Sequence, residues 1–162
     1  MEPGTLVEEL ARRKAAQVSA QLAEPEETLV IGADTVVVLD GKILGKPHDE
    51  EEARAMLEAL AGRWHEVFTG VAVIDPAGGR VASTREKTRV KFRSLCPKEI
   101  AAYVATGEPL DKAGAYGVQG KGALLVERID GCYYNVVGLP LVKLQELLAE
   151  FGVDIWEEGK EA

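Results

Sequence analysis

The sequence predicts one mixed α/β domain, with a partly antiparallel sheet and flanking helices. Segments with apolar residues at helical spacing alternate along the chain with runs rich in β-branched residues, which is the pattern of helices packed on a sheet. Several of those runs are joined by tight turns, Asp40-Gly41 and Asp130-Gly131 among them, and strands joined so closely pair antiparallel. The 162 residues, 46 % of them hydrophobic, suit a single domain over 1–162 with a real core. Residues 153–162 are expected to fray as an acidic tail.

The elements follow in order. Leu6, Val7, Leu10, Ala11, Ala15 and Val18 recur at helical spacing with charged residues between them, so the first helix begins after Pro3-Gly4 and ends before Pro25. The apolar run from Leu29 to Leu39 reads as strand interrupted by a turn at Gly32-Ala33. Asp40-Gly41 then makes a hairpin into a short strand from Lys42 to Leu44. Asp49 is the expected N-cap of a helix through Leu60, where Glu50, Glu51 and Glu52 suit the positive end of the dipole and Gly62 closes it. A strand from His65 to Ile74, a turn at Pro76 to Gly79 and a strand from Val81 to Phe92 come next. Pro97 to Ala105 reads as a short helix, Ala123 to Ile129 and Cys132 to Val137 as strands. Leu141, Leu144, Leu147 and Leu148 make the buried face of a last helix, closed by Gly152.

Charge and composition exclude several functions. A formal net charge of -8 opposes a surface for DNA or RNA, because affinity for a polyanion rests on Lys and Arg neutralising phosphates. A small phosphorylated ligand held by a few local cations remains compatible with it. No window has the apolar length of a membrane span, and a soluble cytoplasmic protein is expected. Cys96 and Cys132 lie far apart without CxxC spacing and read as free thiols, and His48 and His65, with no partner at metal-ligand spacing, read as structural or surface residues.

Three stretches are candidates for chemistry. Asp34 stands between two β-branched runs, where an unpaired buried carboxylate is costly. Either it caps a strand-end turn, or it projects into a cleft where it orients water or helps hold a metal; Lys46, in a Gly-Lys-Pro turn, supplies opposite charge nearby. Arg85, Lys87, Arg89, Lys91 and Arg93 fall on one face of their strand, as a solvated stripe or as an attractor of phosphate or an acidic partner. The stretch from Gly107 to Gly122 gathers five glycines with Asp111, Lys112, Tyr116, Gln119 and Lys121. Glycines let backbone N–H groups approach an anion and also simply make loops; the spacing matches neither common phosphate motif, yet this is the best loop for a ligand.

Four segments carry a resemblance to a known family. LVIGADTVVVLDGKILGKP from Leu29, HEVFTGVAVI from His65, AYVATGEPLDKAGAYGVQG from Ala102 and YYNVVGLP from Tyr133 resemble, in order, the motifs of the Maf family of nucleoside triphosphate pyrophosphatases. The likeness runs from the first helix to about Gly152. It implies a fold related to that of the inosine triphosphate pyrophosphatases, a mixed sheet with flanking helices and two lobes around a cleft. It implies hydrolysis of a nucleoside triphosphate to the monophosphate and pyrophosphate, with a divalent cation such as Mg or Mn, by a homodimer. By the same resemblance Asp34 is the proton acceptor that activates water, while Lys46 and Lys14 reach the phosphates. Thr35 and Gln119 match the positions that mark the subgroup acting on dTTP and UTP rather than 7-methyl-GTP, and Asp111 and Lys112 support substrate binding. The family's opening strand and Ser-x-Ser-Pro-Arg-Arg loop have no counterpart here, since Met1 falls just before the lysine-bearing helix. Either a truncated or mis-started product or a shortened homologue is therefore expected, with turnover weak or absent. The alternative is a non-catalytic nucleotide-binding protein or a regulator of septum formation.

Overall fold

The computed structural model describes residues 1–24 and 27–157. Among the described residues, five α-helices, α1 (Pro3–Ser19), α2 (Glu50–Leu60), α3 (Pro97–Ala105), α4 (Tyr133–Val137) and α5 (Leu141–Glu150), surround one sheet. Its strands are β1 (Val30–Leu39), β2 (Lys42–Leu44), β3 (Trp64–Ile74), β4 (Val81–Phe92) and β5 (Val126–Asp130). They lie in the order β2-β1-β3-β4-β5, and each neighbouring pair is antiparallel. The Asp40-Gly41 hairpin is as read: both residues have positive φ, the conformation that a two-residue turn matched to strand twist requires. Asp49 caps α2 by accepting from the Glu52 N–H at 2.8 Å.

The alternation of side chains along β1 and β3 separates two cores. On one face Val30, Val36, Val38, Phe68, Ala72 and Ile74 meet Val7, Ala11 and Ala15 of α1. On the other, Val71 and Val73 meet Leu147 of α5, while Val37, Leu39, Val67, Val90 and Phe92 meet Leu57 and Leu60 of α2 and Ile100, Tyr103 and Val104 of α3. A sheet covered on both faces explains the nearly continuous apolar runs of β1 and β3.

Four readings of the sequence are corrected. Gly32-Ala33 is no turn: β1 runs unbroken through Asp34 and Thr35. A Cβ on Gly32 would lie 2.4 Å from the Ala11 carbonyl oxygen, and one on Gly70 would lie 2.2 Å from that of Val7. These glycines let the α1 backbone rest directly on the sheet, a packing role that resembles turn chemistry in one dimension. The segment Cys132 to Val137 is not strand but carries the helical turn α4, which closes with the Gly138 N–H on the carbonyls of Tyr134 and Asn135, each at 3.1 Å. The β-propensity of Val136-Val137 yields to the buried hydrogen bonds of Asn135 described below. Gly120–Leu124 winds as a 3-10 turn, so β5 starts only at Val126. In α5, Leu141 is 45 % exposed; only Leu147 of the four leucines is fully buried, with Leu144 and Leu148 packed beside it. Of the expected fraying tail, Val153 still donates to Leu148 and Trp156 to the Asp154 side chain, and 158–162 lie outside the described residues.

The basic stripe is neutralised. Arg85 pairs with Glu2 and Glu8, Lys87 with Glu66, Arg89 with Asp130, Lys91 with Glu127, and Arg93, just past the strand end, with Glu99. Arg89 also covers the Trp64 ring, 4.5 Å from its centroid. Among the described residues, no helix is long and apolar enough to cross a membrane.

Candidate active site

The cleft lies at the one stretch of β1 that its short neighbour leaves open. β2 pairs only with Val37, Val38 and Leu39, so on that side the strand has no sheet partner at Ala33, Asp34 and Thr35 among the described residues. A cavity of about 360 Å³ opens there. All seven residues to which the resemblance assigns a role line it: Lys14 from α1, Asp34 and Thr35 from β1, Lys46 after β2, and Asp111, Lys112 and Gln119 from the glycine-rich loop, whereas Lys121 and the basic stripe do not.

Successive residues of a strand face opposite sides, so Asp34 and Thr35 reach the cleft around the open edge from different faces. Asp34 lies on the α1 side, where the Lys14 ammonium contacts its carboxylate and comes within 3.4 Å of the Ala33 carbonyl oxygen. The Asp34 side chain is 18 % exposed and that of Lys14 is 56 % exposed. The carboxylate is thus held in place while the lysine stays free to follow another anion. Of the two readings of Asp34, the turn cap does not survive the continuous strand, and the carboxylate at a cleft does.

The loop from Gly107 is fixed by its own hydrogen bonds. Glu108 accepts from the Tyr103 hydroxyl at 2.7 Å and from the N–H groups of Gly122 at 3.0 Å and Lys121 at 3.2 Å. Burial pushes the Glu108 carboxyl up, but those three donors outweigh it and leave it below its ordinary value. The Tyr103 hydroxyl, raised by burial and by donating to Glu108, also accepts from the Gly117 N–H at 3.2 Å. Gly114 has φ 71, and a Cβ there would meet Val37 at 2.8 Å. Its N–H donates to the Gly45 carbonyl at 3.1 Å, which draws Lys112 and Ala113 beside Lys46. Tyr116 anchors the loop in the core, its hydroxyl 2.6 Å from Nε2 of buried His65. Lys112 is bonded to Asp111 at 3.0 Å, and that bond holds the Asp111 carboxyl below the usual range.

Charge in the cleft runs against that of the chain. Three lysines, Lys14, Lys46 and Lys112, face two carboxylates, Asp34 and Asp111, in a protein of net charge -8. Such a local excess of cations in a concave site concentrates an anion. Among the described residues, no group of three His, Cys, Asp or Glu is arranged around a metal position. Asp34 and Asp111 offer oxygen donors of the kind that a divalent cation takes, without a full cage.

Sequence reasoning missed the far wall. Val136, Val137 and Gly138 line the cleft beside Thr35, and beneath them Thr69 and Asn135 are both fully buried. Their signal was the one that exposed Asp34, a polar residue inside an apolar run.

Residues 1–151 match the family model described as Maf-like protein. The chain is 56 % identical over 156 residues to a dTTP/UTP pyrophosphatase of Moorella thermoacetica, a match covering 96 % of this chain and 79 % of the relative. It is 55 % identical over 155 residues to a dTTP/UTP pyrophosphatase of Pelotomaculum thermopropionicum (96 % and 80 %), and 52 % identical over 159 to one of Acetivibrio thermocellus (96 % and 79 %). A cleft with the expected carboxylate and lysines, set in a chain that matches the family along nearly its whole length, identifies the protein as a member of the Maf family.

Proposed function

We propose that this chain hydrolyses nucleoside triphosphates, dTTP and UTP in preference, to the monophosphate and pyrophosphate. The observation that carries the proposal is the convergence on one cleft of a held carboxylate, Asp34, with Lys14, Lys46 and Lys112. Relatives at 52 to 56 % identity bear the name of that activity.

The reaction asks for three things that these residues supply. A water oxygen bonds to the α-phosphorus as the bond to the bridging oxygen breaks, and pyrophosphate leaves with that oxygen. Asp34 takes the proton that the water loses. Lys46 and Lys112 offset the charge that accumulates on the phosphate oxygens, and Lys14 exchanges its Asp34 contact for a phosphate, freeing the carboxylate to act. A divalent cation such as Mg or Mn, bound by Asp34 together with the phosphates, would add charge neutralisation in the same place. Gln119, through its amide, and Thr35, through its hydroxyl, pair with the polar edge of the base, and a base that leaves them unmatched is rejected. Asp111 orients Lys112. A homodimer and a cytoplasmic location complete the reading on resemblance alone.

The test is product analysis with dTTP, UTP, CTP and 7-methyl-GTP in Mg or Mn, reading pyrophosphate separately from orthophosphate. Pyrophosphate with monophosphate from dTTP and UTP supports the proposal; orthophosphate alone contradicts it. Nucleotide binding with no product would instead mark a binding module. If Gln119→Ala leaves the order of preference unchanged, the specificity role of Gln119 is wrong.

A further inference from the structure

Thr35 is one end of a buried chain of hydrogen bonds whose direction the structure fixes. The amide of Asn135 sits with Nδ2 3.1 Å from the Val67 carbonyl oxygen and 2.9 Å from Thr88 Oγ1. A backbone carbonyl can only accept, so this orientation of the amide is settled, and Thr88 accepts from it. Thr88 also accepts from the Cys132 N–H and donates to the Cys132 carbonyl, each at 3.1 Å, which uses its full hydroxyl capacity. The Asn135 amide is thereby oriented, its Oδ1 left without a hydrogen-bond partner among the described residues, and its backbone carbonyl, which also accepts from the Gly138 N–H, receives the hydroxyl proton of Thr69 at 3.1 Å.

Thr69 has one hydroxyl proton and has given it to Asn135. Its oxygen lies 2.8 Å from Thr35 Oγ1, its partner directly across β1 and β3. In that contact Thr35 must be the donor. The proton of Thr35 therefore points into the core, and what remains for the cleft is a pair of acceptor sites. Gly138 lies beside this surface, where a Cβ would stand 3.8 Å from Thr35 Oγ1.

We propose that Thr69 and Asn135 are positioning residues that make Thr35 an obligate hydrogen-bond acceptor, and that this selects pyrimidines carrying an imide N–H over cytosine. Uracil and thymine present N–H at the 3-position and satisfy such an acceptor; cytosine presents a lone pair there and meets it with another. The inference rests on the reading of the cleft as a nucleoside triphosphate site, and it assigns the residues that set its base preference from beneath.

Binding to slowly hydrolysed analogues separates the two readings. The α,β-imido analogues of UTP, CTP and 3-methyl-UTP are titrated calorimetrically into the whole chain, into Thr69→Val and into Thr69→Ser. The expected result is that the natural chain binds the UTP analogue at least about tenfold more tightly than either of the others. Thr69→Val, which frees the Thr35 proton to turn outward, brings the UTP to CTP ratio within about twofold. Thr69→Ser keeps the relay and restores the ratio. A folded Thr69→Val with its discrimination intact overturns the proposal, as does a natural chain that binds the UTP and 3-methyl-UTP analogues equally, which requires no variant. Discrimination that follows Thr69 in a chain releasing no pyrophosphate from any nucleotide upholds the relay and sinks the catalytic reading alone.

Discussion

Lys14 reaches Asp34 because α1 lies directly on the β1 backbone at Gly32. The two residues lie on α1 and β1, and α1 rests on the strand at Gly32, where a side chain would strike the Ala11 carbonyl at 2.4 Å. The Asp34 partner across the sheet is Gly70, which clears the same helix at Val7. Two absent side chains thus bring a lysine on a surface helix to a carboxylate at the rim of the cleft.

Gly32→Ala tests that packing. The added methyl meets backbone rather than a movable side chain, so α1 must lift, at a cost of about 1–3 kcal/mol or more. For a domain of this length the melting temperature should fall by several degrees. An unchanged melting temperature would contradict the close approach of α1.

His65 sets a pH dependence of stability. Burial lowers its pKa from 6.5 to about 4, and it stays neutral in the fold beside Tyr116. The unfolded chain takes up a proton below about pH 6.5 that the folded chain refuses until about pH 4. Stability from this group is therefore fully present above pH 6.5 and is lost as pH falls through that window, by about 3 kcal/mol in all. Denaturant titrations of the natural chain and His65→Gln between pH 4 and 7 should show a shallower slope in the variant. Parallel curves would place the pH dependence elsewhere.

The stripe on β4 should be dispensable for turnover. Lys87 and Lys91 each engage a carboxylate, Glu66 and Glu127, and neither lines the cleft. Replacing both by Ala is expected to leave kcat/KM for dTTP within about twofold and to change stability by about 0–1 kcal/mol per pair, because exposed ion pairs are weak. A fall of tenfold or more in kcat/KM would show that the stripe guides substrate.

Much of this was legible in the sequence, for reasons that differ by residue. Lys42–Leu44, Val81–Phe92 and Pro97–Ala105 carry strong local signals, a hairpin turn, strict alternation and a proline start, and their bounds agree with the reading. Asp34, Lys46, Asp111, Lys112 and Gln119 stood out from their local context, while Lys14 and Thr35 came only through motif resemblance, and the roles of all seven rest on that resemblance still. What escaped were features created by tertiary contact. Gly32 looks like a turn until a helix lies on it, and the Cys132 to Val137 run looks like strand until Asn135 finds Val67 and Thr88 beneath it. The basic stripe looked available because its partners, from Glu2 to Asp130, are distributed over the length of the chain.

Asp34 carries the central claim, and Asp34→Asn tests it with little change of shape. Pyrophosphate release from dTTP should fall by about 10²–10⁴, the usual contribution of a positioned general base, while nucleotide affinity stays within a few-fold. Turnover undiminished in Asp34→Asn would contradict the assignment of Asp34 as the group that activates water.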